Sequence, residues 1–144
     1  KQIFGLKRED IQQVTLNHAH ETVAITPAAT EGESAWTVSR GEEVIDAPNA
    51  GEISKAMTSL ASLVAKSFVP KDPGSAITGL DDNAFTAEFL LVDGTRHVVQ
   101  FSEKLFAENE IYARTSTASD WKGQLFTVNR FQAENIQRKF KHFK

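Results

Sequence analysis

Asp93 and Gly94 separate two strand-like segments of the sequence, Phe85–Val92 and Thr95–Phe101. An Asp-Gly pair between two such runs is the strongest short-range signal of a β-hairpin, and it predicts a type I′ turn with positive φ at both central residues. A chain with this hairpin contains antiparallel strands. The rest of the sequence must then supply further strands for the same sheet, or helices that cover it.

Five more segments are short runs with the β-branched and aromatic residues typical of strands. The first two are joined by a polar break at residues 17–20 and should form a second hairpin. Residues 102–109, by contrast, predict a long loop. The five strand segments are Ile11–Leu16, Thr22–Thr26, Ala35–Ser39, Ile111–Thr115 and Leu125–Val128.

The clearest helical periodicity lies in residues 50–66, where apolar residues recur three or four positions apart. Asn49, three residues before Glu52, has the place of an N-cap residue in a capping box. Pro70 excludes a continuation of this helix. A second, closing helix is expected from Arg130 onward. Its apolar residues are Phe131, Ile136 and Phe140, and those of the first helix are Ile53, Met57, Leu60, Leu63 and Val64.

These elements predict a single α+β domain over residues 1–144, with antiparallel sheet packed against one or two helices. Residues 69–83 contain two prolines, two glycines and three aspartates, and predict a connector. The halves on either side, residues 1–68 and 84–144, have a similar order of hairpin, strand and helix. This likeness predicts an internal duplication of a hairpin-strand-helix unit.

Composition places the chain among ordinary globular domains. Its 144 residues are 40% hydrophobic and 24% charged, which differs from the low hydrophobicity and high charge of disordered chains. Ten Phe and two Trp supply large side chains for a core, and Leu80 should anchor the connector. The aromatic residues expected in the core are Trp36, Phe85, Phe89, Phe101, Phe126 and Phe131.

Charge and composition also exclude several functional classes. The net charge of −3 argues against a nucleic-acid-binding protein, whose surface is normally strongly basic. Without cysteine the chain cannot form disulfides, a thiolate nucleophile or a cysteine-ligated zinc site. No run approaches the roughly 18 apolar residues that span a bilayer. The chain begins at Lys1 without a signal-like segment, so we expect that a targeting or anchoring segment of the native protein precedes it.

The sequence contains no complete catalytic motif of the serine-nucleophile, zinc-protease or phosphate-loop kind. The adjacent carboxylates Asp81-Asp82 and Glu42-Glu43 lie in predicted loops, where two carboxyl groups seldom face one cavity. We expect the glutamates to be solvated and one of the aspartates to cap a turn. A calcium site that includes Asn83 is the alternative, although EF-hand spacing is absent. The sequence therefore predicts neither catalytic residues nor a cofactor.

His18 and His20 form the sharpest metal-like pair in the sequence. If a strand continued through them, both imidazoles would point to one face and could share a divalent ion. Zinc, however, takes at least three protein ligands, and Glu21 would point to the opposite face. We therefore favour two solvated histidines in a polar hairpin turn over a metal site.

Two further features suggest contact with a ligand or partner. Trp121 and Lys122 lie in a loop rich in Ser, Thr, Gly and Asp, where an aromatic ring either covers the core or forms an exposed platform for sugar or peptide. The chain end holds Arg138, Lys139 and Lys141 among phenylalanines. Such a segment suits anionic lipid or a nucleic-acid backbone, but we favour a helix end whose cations complement the helix dipole.

A series of segments along nearly the whole chain matches a known family pattern: Leu6–Ile11, Val14–Leu16, Glu21–Val23, Ala35–Val38, Asp46–Ile53, Leu60–Leu63, Phe68-Val69, Gly79–Asp81 and the hairpin around Asp93-Gly94. Their order resembles the bacterial family catalogued as domain of unknown function 4340. Each segment is a structural pattern and none is a catalytic signature, so the resemblance carries over no functional residue.

Proteins of that family are typically envelope proteins with an N-terminal membrane anchor, some of them encoded beside transporter subunits of the gliding-motility kind. The resemblance thus implies an extracytoplasmic domain, periplasmic or in the cell envelope, that is anchored at its N-terminus in the native protein. We expect a non-enzymatic accessory domain that binds another envelope protein, such as a transporter subunit. The alternative is a glycan- or peptide-binding module that uses Trp121 and neighbouring loops.

Overall fold

The computed structural model describes residues 3–27, 36–45, 47–81, 84–115 and 124–144. Its helices are α1 (Ala50–Ala61), α2 (Ser75–Thr78) and α3 (Arg130–Ile136), with 3-10 helices at Arg8–Asp10 and Phe140–Phe143. Its strands are β1 (Ile11–Asn17), β2 (Thr22–Pro27), β3 (Trp36–Arg40), β4 (Glu43–Ile45), β5 (Ala65–Phe68), β6 (Phe85–Leu91), β7 (Arg96–Ala107), β8 (Glu110–Thr115) and β9 (Leu125–Asn129).

All these strands join one antiparallel sheet of nine strands in the order β4-β3-β2-β1-β6-β7-β8-β9-β5. Each half of the chain forms a meander of consecutive neighbours, β4 to β1 on one side and β6 to β9 on the other. The halves meet where β1 pairs with β6, with Val14 opposite Phe89. The expected sheet-rich α+β fold is confirmed.

The core lies between one face of this sheet and the helices. Strand residues alternate between the two faces, as Ile111 and Ala113 of β8 show by packing in the main cluster with Leu60 of α1. Between them, Tyr112 points to the other face, where it packs with Leu80 and Leu125 in a smaller cluster. Leu80 thus anchors the connector, as expected.

Helix α1 begins as predicted and ends earlier than predicted. The Asn49 side chain accepts a hydrogen bond from the Glu52 amide at 3.2 Å, which is the expected N-cap. The helix stops at Ala61, and the Ser62 hydroxyl donates to the Thr58 carbonyl at 2.7 Å. The prediction of helix to residue 66 is wrong because residues 65–68 pair with β9 instead.

The hairpin at Asp93-Gly94 forms, but its turn differs from the predicted type. Gly94 has a φ of 91° and Asp93 does not have a positive φ, so type I′ is wrong. The Gly94 amide donates to the Leu91 carbonyl at 3.0 Å, which makes Val92 and Asp93 the central residues. The Asp93 carboxylate accepts from the Thr95 amide at 2.9 Å and holds this arrangement.

Strand β7 continues through Ala107, into residues expected to form a long loop. Its register with β8 shifts between Phe101 and Leu105 and again between Leu105 and Ala107. These irregularities are β-bulges, which hide the alternation that would have predicted a strand. We call residues 103–110, where β7 and β8 meet, the β7–β8 tip.

Most of the aromatic residues expected in the core are there, with one exception. Phe85, Phe89, Phe101 and Phe126 are buried, and Trp36 is half-buried against the core. Phe131 is 53% exposed, so its predicted burial is wrong.

Phe131 is exposed because α3 points Ala133 and Ile136 into the core. A residue two positions before Ala133 is rotated by about 200° around the helix axis. Phe140 lies beyond α3, in the following 3-10 helix, and is buried from there.

Candidate functional site

The basic chain end is held against the first half of the fold. Phe140 and Phe143 are buried in the core, and Arg138 pairs with Glu52 of α1 at 3.2 Å between Nε and Oε2. Of the cations expected to contact a partner, Lys139 and Lys141 are exposed. The expected helix-end arrangement is wrong in detail, because α3 ends at Ile136, Arg138 and Lys139 follow it, and Lys141 lies in the 3-10 helix after them.

Two side chains of the β1–β2 turn bind the backbone of this segment. The Nε2 atom of His18 lies 2.8 Å from the Arg138 carbonyl oxygen, so it carries the proton and donates. The Glu21 carboxylate accepts from the Phe140 amide at 2.9 Å. That hydrogen bond, helped by the Arg40 guanidinium 3.6 Å away, lowers the pKa of Glu21 below its usual value.

His18 and His20 have different environments, and only part of the expectation for them holds. His20 is exposed as expected, but His18 is half-buried, with its ring 4.9 Å from that of Phe85. Within the described ranges, no three side chains of the metal-ligating kind are grouped. The alternative calcium site would consist of Asp81, Asp82 and Asn83, and the last two lie outside the described residues.

A groove surrounds the base of the β7–β8 tip, at the end of the sheet where the β1–β2 turn also lies. It consists of three depressions that share Glu103, and we call it the tip groove. The depression on the side of α3 has a volume of about 300 Å³, the one beside the connector about 320 Å³, and the one beside His18 and Lys139 about 140 Å³. Because Glu103 lines all three depressions, we treat them as parts of one surface.

The α3-side depression is lined by apolar and charged side chains. Leu105 supplies most of the exposed apolar surface, since Ile111 and Ala133 also line the depression but are 4% and 0% exposed. Arg130 and Glu134 line it as an ion pair at 3.6 Å. Ser102, Glu103 and Gln137 complete the lining.

Helix α2 fixes the strand that carries the groove. The buried Ser102 hydroxyl donates to the Thr78 carbonyl and accepts from the Lys104 amide at 2.8 Å. The Lys104 amine donates to the Ala76 carbonyl at 2.7 Å. Gly79 makes this approach feasible, because a Cβ there would lie 2.7 Å from the Ser102 hydroxyl oxygen.

The tip exposes large apolar side chains on both of its faces. Leu105 is 52% exposed and faces α3, whereas Phe106 is 45% exposed and faces the other way, with its ring 5.5 Å from that of Tyr112. One exposed large apolar side chain on each face makes this end of the hairpin a candidate interaction site.

Glu103 occupies the junction of the three depressions. It is exposed and forms no hydrogen bond or ion pair with any residue that the structure describes. Of the cations that line these depressions, the Lys104 amine is bound to Ala76 and Arg130 is paired with Glu134, whereas Lys139 is exposed in the depression beside His18. The negative charge of Glu103 is therefore available to a ligand.

The other partly buried titratable groups hold the fold together. His97 packs against the rings of Phe4 and Phe89, with 4.9 and 5.5 Å between the ring centres. Burial lowers the pKa of His97. His142 accepts a hydrogen bond from the Lys139 amide at 2.9 Å, and burial lowers its pKa as well. These contacts stabilise the fold.

The predicted site residues are not brought together in the described part of the chain. Trp121 and Lys122 lie outside the described residues. The flanking residue Thr115 is at the opposite end of β8 from Glu110, where the tip lies. Of the carboxylates considered earlier, Glu43 is exposed as expected and lies in β4, with its carboxylate 3.0 Å from Arg40.

His18, His20 and Lys139, which were considered from the sequence, line one part of the tip groove, but the residues of its α3-side depression were not predicted. Glu103 and Leu105 fall in the segment expected to be a loop, and Gln137 follows α3 without any motif. One signal was present: Leu105-Phe106 is an apolar pair between charged and polar residues, and in a loop such a pair would be exposed.

Comparisons with protein-family models, with curated proteins and with solved structures found no significant match. No helix in the described ranges is long and apolar enough to cross a bilayer.

Proposed function

We propose that this chain is a non-enzymatic accessory domain that works by binding another protein through the tip groove. The observation that carries the proposal is the β7–β8 tip, where Leu105 and Phe106 are exposed on opposite faces and Leu105 lines a groove together with Glu103, whose carboxylate has no partner among the described residues. An apolar surface bordered by charged groups is typical of protein-binding sites.

The environment of the polar groups supports binding over catalysis. General acid-base chemistry needs a titratable group that reaches substrate. The buried Ser102 hydroxyl instead donates to Thr78, and His18 donates to the Arg138 carbonyl. The carboxylate of Glu21 is bound to the Phe140 amide. These groups are engaged in holding strands and turns in place.

The cellular setting of the proposal comes from the sequence resemblance described above. We place the domain outside the cytoplasm, in the periplasm or cell envelope, in a protein anchored by an N-terminal segment. Its partner would then be another envelope protein, such as a transporter subunit.

We also propose that the two halves arose by duplication. In support, β1 to β4 form a meander followed by α1, and β6 to β9 form a meander followed by α3. The first strands of the two units, β1 and β6, are antiparallel neighbours at the centre of the sheet. Two copies related by a twofold rotation would place them in this way.

The experiment is site-specific photo-cross-linking in membranes of the source organism. A benzophenone amino acid replaces Leu105 in one variant of the chain and Val92 in a control variant. Val92 is 65% exposed and lies in the hairpin turn at the opposite end of the sheet. We expect a discrete cross-linked partner from position 105 and none from position 92, with the partner identified by mass spectrometry.

The cross-linked protein is then purified and its affinity for the chain is measured with and without Leu105→Asp. A loss of about tenfold or more in affinity supports the proposal, since a carboxylate at an apolar contact is costly to bury. Equal cross-linking at both positions, or unchanged affinity, contradicts it. Binding of a glycan at the segment that contains Trp121, with no protein partner, would favour the alternative function.

A further inference from the structure

We infer that the α3-side depression of the tip groove binds a peptide segment of the partner in which an apolar side chain stands next to Lys or Arg. This inference rests on the proposed function and names the chemistry of the partner. It follows from three properties of the groove, namely its apolar floor, the charge of Glu103 and its size.

The apolar residues that line the depression favour an apolar side chain on the ligand. Leu105, Ile111 and Ala133 meet there from two strands and a helix. Leu105 remains 52% exposed, so a ligand side chain would remove apolar surface from water at both partners. A polar side chain in the same place would lose hydrogen bonds to water without gaining partners from this floor.

Glu103 selects a cation next to that apolar side chain. Its carboxylate lines the α3-side depression and has no charged partner among the described residues. Arg130 does not compensate it, because the Arg130 guanidinium pairs with Glu134 and lies 5.0 Å from the centre of the Phe131 ring. With Arg130 and Glu134 paired to each other, Glu103 gives this depression a net negative charge, which favours a basic ligand.

The size of the groove selects a flexible segment. A volume of about 300 Å³ is at the lower end of the range for ligand sites and accommodates one or two side chains. Glu103 and Gln137 also line the depression beside His18, so a longer ligand could extend from one depression toward the other. A peptide in extended conformation fits this shape.

The test uses a phage-displayed library of random peptides selected against the whole chain. We expect the selected peptides to share an apolar residue beside Lys or Arg. Binding of a synthetic peptide from this set should weaken about threefold with Glu103→Gln, the usual range for an exposed ion pair. The variant Glu103→Lys should prefer the same peptide with its cation replaced by Glu.

Glu108→Gln is the matched control, because Glu108 is an exposed glutamate of the same tip that does not line the groove. It should bind the peptide as the unchanged chain does. Circular dichroism verifies that each variant is folded.

The inference is overturned if selection yields no peptides, or yields peptides without the apolar-cationic pair. It is equally overturned if Glu103→Lys does not shift the preference toward acidic peptides. The cross-linking experiment distinguishes failure of this inference from failure of the proposed function. If a partner is captured from position 105 and its affinity is unchanged by Glu103→Lys, this inference is contradicted and the proposed function is not.

Discussion

Helices α1 and α3 each follow a four-stranded meander, but they cover the sheet to different extents. Helix α1 has 12 residues and buries a full stripe that includes Ile53, Met57 and Leu60. Helix α3 has seven residues, buries only Ala133 and Ile136, and leaves Phe131 in solvent. The first half is therefore closed by its helix, whereas the second half keeps a groove between its helix and β7.

The two halves share the order of a four-stranded meander followed by a helix, but the helices differ in how much of the sheet they cover. A long amphipathic helix contributes most of its stability through burial of its apolar face. The shorter second helix leaves Leu105 52% exposed at the sheet end, although Ile111 beside it is buried, and Leu105 lines the tip groove. Both halves contribute buried residues to the main core, and the surface that we propose for a partner lies in the second half.

Replacing one apolar residue in each helix, Leu60 in α1 and Phe131 in α3, should give the largest difference in the free energy of unfolding. Leu60→Ala should lower the free energy of unfolding by about 3 kcal/mol, because Leu60 is completely buried and the cavity cannot fully close. Phe131→Ala should change it by less than about 0.5 kcal/mol. Urea denaturation measures both, and similar losses would show that the two helices do not differ as described.

The rigidity of the β7–β8 tip depends on Gly79. With a φ of 76° and only 2.7 Å between its Cβ position and the Ser102 hydroxyl, Gly79→Ala should cost about 2 kcal/mol. Gly41→Ala is the control in the first half, since Gly41 has a φ of 60° with nothing within 4 Å. It should cost about 1 kcal/mol from backbone strain alone. Equal losses in thermal denaturation would mean that the Ser102 contact does not matter.

The link between the halves should depend on pH through Glu21. Its pKa is lowered below the ordinary value of 4.5, chiefly by the Phe140 amide. The stabilisation by the charged carboxylate is thus complete above that value and is lost as pH falls through the lower pKa of the folded state. Glu21→Gln should cost about 1 kcal/mol near neutral pH, and the difference should vanish in acid.

Glu43→Gln is the control for this prediction. Glu43 contacts the same Arg40 guanidinium, but it is exposed and forms no contact with the chain end among the described residues. Denaturation across a pH series should show almost no difference between this variant and the unchanged chain. A pH-independent loss in Glu21→Gln would mean that the charge of Glu21 does not contribute.

The smallest expected effect concerns His97 in the second half. Burial against Phe4 and Phe89 lowers its pKa from the ordinary value of 6.5, so the unfolded chain takes up a proton before the folded one does. Stability should fall as the pH drops below that value, and His97→Gln should show a flatter profile over the same interval. Parallel profiles in thermal melts would contradict the assignment.

Local sequence signals located most elements. The N-cap at Asn49, the hairpin around Gly94 and the start of α3 at Arg130 each depend on residues a few positions apart. The aromatic residues Phe85 and Phe89 of β6 were also correctly expected in the core. Such signals act within a short stretch of chain, so a single sequence contains them in full.

Where elements end was decided by pairing across the sheet. Residues 65–68 have enough helical periodicity to extend α1, yet they form β5 because β9 has a free edge for them. The bulges of β7 likewise depend on how residues 101–107 meet β8. Propensity is weak beside such long-range hydrogen bonding, so no local pattern could give these boundaries.

The sequence by itself determined an antiparallel α+β fold, most of its strands and the N-cap at Asn49, because these follow from side chains that are neighbours along the chain. Only the tertiary structure decided that His18 binds the carbonyl of Arg138, 120 residues away, and that Glu103 and Gln137 line one groove. The physical reason is that burial and unpaired charge are properties of surfaces, and this surface exists only once β7, α3 and the β1–β2 turn have packed together.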